Sequence, residues 1–354
     1  MADDPDFYPV RTDWSQSTGK LNISAFIYRD RNRNGHYDGD DRPMAGIAVA
    51  MTGDGGATLA ERSNTSGWAN FAMSTRDGEA AIREPGERRF TILVPSRWIA
   101  TSGNADQAAS FRPAPGSPSG LTLERSLENV GLAPELAVSG RLASSANIIV
   151  QCEDEISEAA SNLPGHGFRI PVKAGAASVT IGDISRSTLV SELPVDLGLL
   201  DHAREISDAS TIEVIDFDQV TGMDLCKIPD GYRELDFANL TAVKAAYYQG
   251  EGYVNGAVSG TYVAYNSSGL PAEIASPSRF DFISCALSVA WLSAEGETVT
   301  VEAWRGDRLA ARDDVVLSAL GAVRYEPRLA GVTRLRFTTA HHWQFVLSGL
   351  EIAR

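Results

Sequence analysis

Apolar and polar residues alternate along most of this chain in short runs, and turn residues interrupt the runs. Leu21–Tyr28 (LNISAFIY) alternates with period two, as a strand with one buried face does. Ile47–Thr52, Trp68–Met73 and Phe90–Val94 repeat the pattern, separated by Gly53-Asp54-Gly55-Gly56, Thr65-Ser66-Gly67 and Glu84-Pro85-Gly86. Such spacing predicts a β-sandwich over 21–100. Residues 101–120, rich in Ser, Gly and Pro, read as a loop or linker, and residues 1–20 as a lead-in arm.

Further candidate strands follow at Val138–Leu142, Asn147–Gln151, Phe168–Val172 and Ala177–Ile181. Leu197–Ile206 (LGLLDHAREI) is the best helix candidate. Beyond Ser207 strands resume at Thr211–Phe217, Tyr262–Asn266, Phe280–Trp291, Thr298–Arg305, Arg334–Thr338 and Phe345–Ile352. In Thr298–Trp304, Val299, Val301 and Ala303 share one face. The expected fold class is all-β: tandem β-sandwich domains, the N-terminal one prealbumin/Ig-like and the C-terminal one a jelly roll. The expected segments are 1–20 as arm, 21–134 as first sandwich with a trailing linker, 135–207 as a small β-rich middle segment and 208–354 as last sandwich.

Composition narrows the function classes. The 354 residues suffice for two or three domains. A net charge of −15 disfavours nucleic acid and anionic membranes as partners and suits divalent cations, though it also suits plain solubility. No run of 18 apolar residues predicts a membrane span, and the acidic N-terminus is unlike a signal peptide. Cys152, Cys226 and Cys285 are far apart and odd in number, which favours buried thiols and leaves one disulfide open. Glu153-Asp154-Glu155 reads as a solvated acidic turn.

The sharpest chemistry lies in DRNRNGHYDGDD. With Asp30 at position 1, Asn32, Asn34, Gly35, His36, Asp38 and Asp41 fall at positions 3, 5, 6, 7, 9 and 12 of a calcium loop. Ca²⁺ is a hard ion that takes six to eight oxygens at roughly 2.3–2.6 Å, and alternate side chains of a tightly curled loop converge on one point. Gly35 permits the bend, and His36 contributes its backbone oxygen. Asp41 stands where Glu is usual, which predicts modest affinity suited to extracellular calcium. A hairpin turn needing no metal is the competing reading.

The loop lies between strands, not helices. Asp30, Asn32, Asn34, Gly35 and Asp38, then Pro43 and Gly46, then Thr65, Gly67, Trp68 and Phe71 resemble the calcium-binding B-type repeats of bacterial surface adhesins (SdrD-like, prealbumin-like fold), over residues 21–100. The resemblance implies a stiff, calcium-braced sandwich at a cell surface or outside the cell. Residues 211–354 resemble the galactose-binding-like jelly rolls of bacterial secreted and surface proteins, through IDFDQ, IPDGY, GYVNGAVSGTYVAYN, TVTVEAWRG and QFVLSGLEI. Such domains often bind glycan at one end and hold a structural calcium where first and last strands meet. Glu213, Asp216 and Glu351, on those strands, are the candidate second site.

Tyr265 with Asn266, and Trp304 with Arg305 and Asp307, are candidate sugar contacts, since sugar rings stack on aromatics while polar neighbours read hydroxyls; core packing is the competing account of such aromatics. His36, His166, His202, His341 and His342 form no HExxH, and neither a GxSxG elbow nor a P-loop occurs. No enzyme is expected. The function expected is a calcium-stabilised carbohydrate-binding or adhesive protein, whose partner is a glycan or another surface protein. A self-associating component of a surface layer, matrix or appendage is the alternative, and an accessory part of a carbohydrate-active enzyme a third.

Overall fold

The computed structural model describes residues 22–53, 56, 58–72, 85–116, 120–153, 155–160, 164–200, 211–220, 222–248 and 250–354. The fold is all-β, in two compact units, Met1–Ala133 and Pro134–Arg354. Among the described residues no helix is long and apolar enough to cross a membrane.

Among the described residues the first unit is a sandwich of two five-stranded sheets. Strand Asn22–Arg29 is central to one sheet: it pairs antiparallel with Trp68–Ala72 and Arg42–Pro43, and parallel with Val130–Pro134. The other sheet runs Thr58–Arg62, Ala48–Thr52, Gly86–Ile92, Asp106–Pro113, Leu121–Arg125, antiparallel throughout. Ile23, Ala25 and Ile27 are buried at period two, and Phe71 meets Phe90 of the opposite sheet edge-to-face at 5.3 Å. Burying such aromatic pairs closes the sandwich. The stretch 101–120, expected as loop, contains the strand Asp106–Pro113. Its small and polar composition hid two inward residues, Ala109 and Phe111, spaced as a strand requires.

In the second unit the 18-residue strand Ala272–Val289 serves several ladders. Its start pairs with Asp236–Ala238 and Leu329–Thr339, and its end with Val323–Tyr325 and Phe345–Ala353. The core between these ladders includes Phe217, Phe237, Phe282, Tyr325, Phe337 and Phe345, all fully buried. The first strand, Ile212–Ile215, pairs with the last, Phe345–Ala353.

The middle segment belongs to the second unit. Strand Val195–Leu199 pairs parallel both with Ala137–Arg141 and with Val323–Tyr325, which carries one sheet across from residues 137–199 into the C-terminal sandwich. That segment still has its own apolar cluster, with Val138, Ile148, Val179 and Leu197, beneath a four-stranded sheet. The helix expected at Leu197–Ile206 is a strand as far as Leu199, and residues 201–206 lie outside the described residues. Gly198 takes φ +67, and a Cβ there would lie 2.5 Å from Asp313 Oδ2, so close packing and strand pairing override the helical pattern. Cys152 and Cys285 are buried free thiols, and Cys226 is a half-buried one.

Candidate calcium loop and surrounding residues

The loop Asp30–Asp41 leaves the end of strand Asn22–Arg29, and its first residue is pinned there: Asp30 N donates to Leu132 O at 2.9 Å. The Asp30 carboxylate is buried and curls the chain around itself, accepting the amides of Asn34 (3.2 Å) and Gly35 (2.8 Å). Asn32 Oδ1 accepts the Asn34 amide at 3.0 Å, and Asn34 Oδ1 the His36 amide at 2.8 Å. These side-chain-to-backbone bonds are the Asx turns that let Asn and Asp hold a tight loop. Gly35 takes φ +76, and a Cβ there would sit 3.1 Å from Thr101 O, so position 6 is restricted in both backbone and space.

The second half of the loop folds back onto the first. Asp41, also buried, accepts the amides of Arg31 (2.9 Å) and Asp38 (3.0 Å). Asp38 Oδ2 accepts the carboxamide NH₂ groups of Asn32 at 2.8 Å and Asn34 at 2.9 Å. The side chains at positions 3, 5 and 9 therefore converge on one another, and the carboxylates of positions 1 and 12 are buried in the loop. His36 is exposed, in keeping with a role for its backbone only.

The loop concentrates negative charge. Burial raises the Asp41 carboxyl above its usual range against the pull of two amides, and Asp30 and Asp38 push it further up. The Tyr28 phenol is pushed up to about 12, first by burial and then by Asp30, Asp41 and Asp38. Asp38 itself is held low, chiefly by the carboxamides of Asn32 and Asn34. Among the described residues no three His, Cys, Asp or Glu side chains form a metal cage by themselves. The donor set of this loop is instead mixed, Asp and Asn oxygens with a backbone carbonyl, which is the set a hard cation takes. Mutually repelling carboxylates, two of them buried, fit a divalent cation.

The other candidates are placed differently. Glu213 pairs across the ladder with Ile352, and Glu351 with Val214, so the two carboxylates point to opposite sides of the sheet. Glu213 lies 3.5 Å from Arg354 and 3.9 Å from Arg233; Glu351 lies 2.8 Å from Arg324. Asp216 accepts the Asp218 amide in the turn that follows. The trio does not converge, because strand alternation separates what the joining of first and last strands brings near.

Tyr265 and Asn266 are buried at 7% and 0% exposure. The Asn266 carboxamide is committed to backbone: its Oδ1 accepts Phe345 N at 2.7 Å and its Nδ2 donates to Leu270 O at 2.9 Å. These two residues are core, not a sugar-facing surface. Trp304 is half-buried with the Arg334 guanidinium 4.8 Å over its ring, Arg305 donates to Ala330 O at 2.9 Å, and Asp307 is exposed in the adjoining turn.

Sequence reading missed an aromatic group beside the loop. Phe26 packs against Trp68 (4.7 Å between centroids) and Tyr37 (5.0 Å), and Tyr28 against Tyr37 (5.2 Å). Tyr37 belongs to the loop and stays 46% exposed; Trp68 is 41% exposed. The signal was present in Leu21–Tyr28, where Phe26 and Tyr28 alternate with the inward Ile23, Ala25 and Ile27.

No family model and no curated protein matches this chain. Among solved structures it is similar to the shaft pilin SpaA from Lactobacillus rhamnosus GG, at 10% identity over 53% of this chain and 100% of that one, with a TM-score of 0.23. It is also similar to the major pilin from Streptococcus pyogenes, at 8% identity over 91% and 98%, TM-score 0.23. A third is TmCBM61, solved in complex with beta-1,4-galactotriose, at 12% identity over 34% and 82%, TM-score 0.21.

Proposed function

We propose that this chain is a calcium-stabilised, non-catalytic carbohydrate-binding or adhesive protein of a bacterial surface or secretome. The observation that carries the proposal is the loop Asp30–Asp41, where Asp30, Asn32, Asn34, Asp38 and Asp41 fold onto one another and bring carboxylate and carboxamide oxygens into one small loop. Those residues and the His36 carbonyl would hold Ca²⁺. Its charge would offset the repulsion among Asp30, Asp38 and Asp41, and it would brace the turn joining strand Asn22–Arg29 to Arg42–Pro43.

The loop is a brace and not a sensor, because it is tied to sheet at both ends and has no helix pair to open. The aromatic group it carries supports a role at a surface: Tyr37 and Trp68 expose rings of the kind on which sugar C–H faces stack. A glycan array probed with calcium and again with chelator tests the binding reading. Calcium-dependent retention on a saccharide is expected, and absence of binding to every saccharide in calcium would remove it.

A further inference from the structure

A cleft of about 170 Å³ opens in the second unit where strand Ala272–Val289 passes strand Phe345–Ala353. The ladder is irregular there in two opposite senses. Phe282 faces Ile352, Ser284 faces Glu351 and Ala286 faces Ser348. The first strand thus gains one residue at Ile283, and the second gains one around Gly349, after which register is restored. Gly349 takes φ +55, and a Cβ added to it would make ordinary contact with Ser259 Oγ and Val258 Cγ2 at 3.5 Å, so those two side chains lie directly above it. Bulges forfeit ladder bonds, and they concentrate where a strand must re-aim side chains beside a site.

The polar groups in the cleft are fixed and only partly used. Arg324 Nη2 and Ser284 Oγ both donate to Glu351 Oε2, at 2.8 and 2.7 Å. Ser259 Oγ is buried without a hydrogen-bond partner, which is costly for a hydroxyl away from water. Arg324 is matched by Glu351 and by Glu326, whose Oε2 lies 3.3 Å from its Nε, so no unmatched positive charge remains for an anion. Leu193, Val214 and Val258 give the cleft an aliphatic wall. Hydroxyl, carboxylate and guanidinium facing an aliphatic wall are the complement of a neutral polyol with a C–H face.

We propose that this cleft binds one neutral sugar unit, with hydroxyls on Ser259, Glu351 and Arg324 and its C–H edge against Val214 and Val258. The inference rests on the carbohydrate-binding reading and locates it, assigning Glu351 to sugar and not to calcium.

The test is saturation-transfer NMR and calorimetry on the full chain with galactose, glucose, mannose and N-acetylglucosamine, each also run on Ser259→Phe and Glu351→Gln. The wild type is expected to bind at least one of them, and both variants to bind it about tenfold more weakly or worse, with circular dichroism unchanged. Should Ser259→Phe fail to fold, Ser259→Ala with Glu351→Gln decides. Equal sugar binding by wild type and variants would overturn the cleft while leaving the carbohydrate reading intact. No binding of these sugars or of any arrayed oligosaccharide would end both. Binding of choline or inorganic phosphate lost in Ser259→Phe, with no sugar bound, would overturn the ligand class.

Discussion

At the scale of single residues, charge and burial set what can be changed. Asp30 accepts two loop amides and is buried, so Asp30→Ala removes the curl as well as a donor. In calcium-free buffer the loss of these charge-assisted bonds is expected to cost about 1.5–3 kcal/mol, read by chemical denaturation. Asp196 offers a pH test. Burial raises its carboxyl, against the Gly198 amide and Arg141, and the charge of Asp313 raises it further. The folded state therefore holds this proton more tightly than the unfolded chain. The stability it contributes is present below the unfolded value, near about 3.9, and is lost as pH rises through the folded value. Asp196→Asn should then melt about 1–3 °C above wild type at pH 7, with the gap closing toward pH 4; an unchanged or lower melting temperature at pH 7 contradicts it. The calcium-loop residues were legible because their ligand spacing is local, set within twelve positions. Tyr265 and Asn266 were not, because an aromatic beside an amide reads the same in sequence whether it faces solvent or, as here, Phe345 N.

At the scale of elements, strand alternation was legible wherever one face is apolar and the other polar. Thr298–Arg305 is such a strand. Asp106–Pro113 was hidden because its inward residues are few and its flanks are turn-formers. Leu197–Leu199, the start of the expected helix Leu197–Ile206, is strand because i, i+3 and i+4 apolar spacing over so few residues cannot outweigh partners supplied from residues 137–141 and 323–325. The bulges opposite Gly349 depend on register between strands some sixty residues apart, which no local pattern encodes. The Phe71–Phe90 contact joins the two sheets of the first unit, and Phe90→Ala is expected to cost about 3–5 kcal/mol by thermal or denaturant unfolding. A loss below about 1 kcal/mol would mean that this contact does not hold the sandwich closed.

At the scale of the whole molecule, a net charge of −15 makes any added salt stabilise by screening, so calcium must be separated from ionic strength. At matched ionic strength, calcium should raise hydrogen-exchange protection in residues 22–53 and 120–133 and leave the protection of residues 211–354 unchanged; uniform protection across the chain would indicate screening alone. A native-state ligand at about a hundred times its Kd adds about 2.7 kcal/mol, enough to shift a melting temperature measurably. The measurement that reaches the central claim most directly is calorimetric titration of Ca²⁺ into wild type and Asp30→Ala at constant ionic strength. The account predicts one saturable site per chain in the wild type, at Asp30–Asp41, and none in the folded variant. Equal calcium uptake by the two proteins would contradict it.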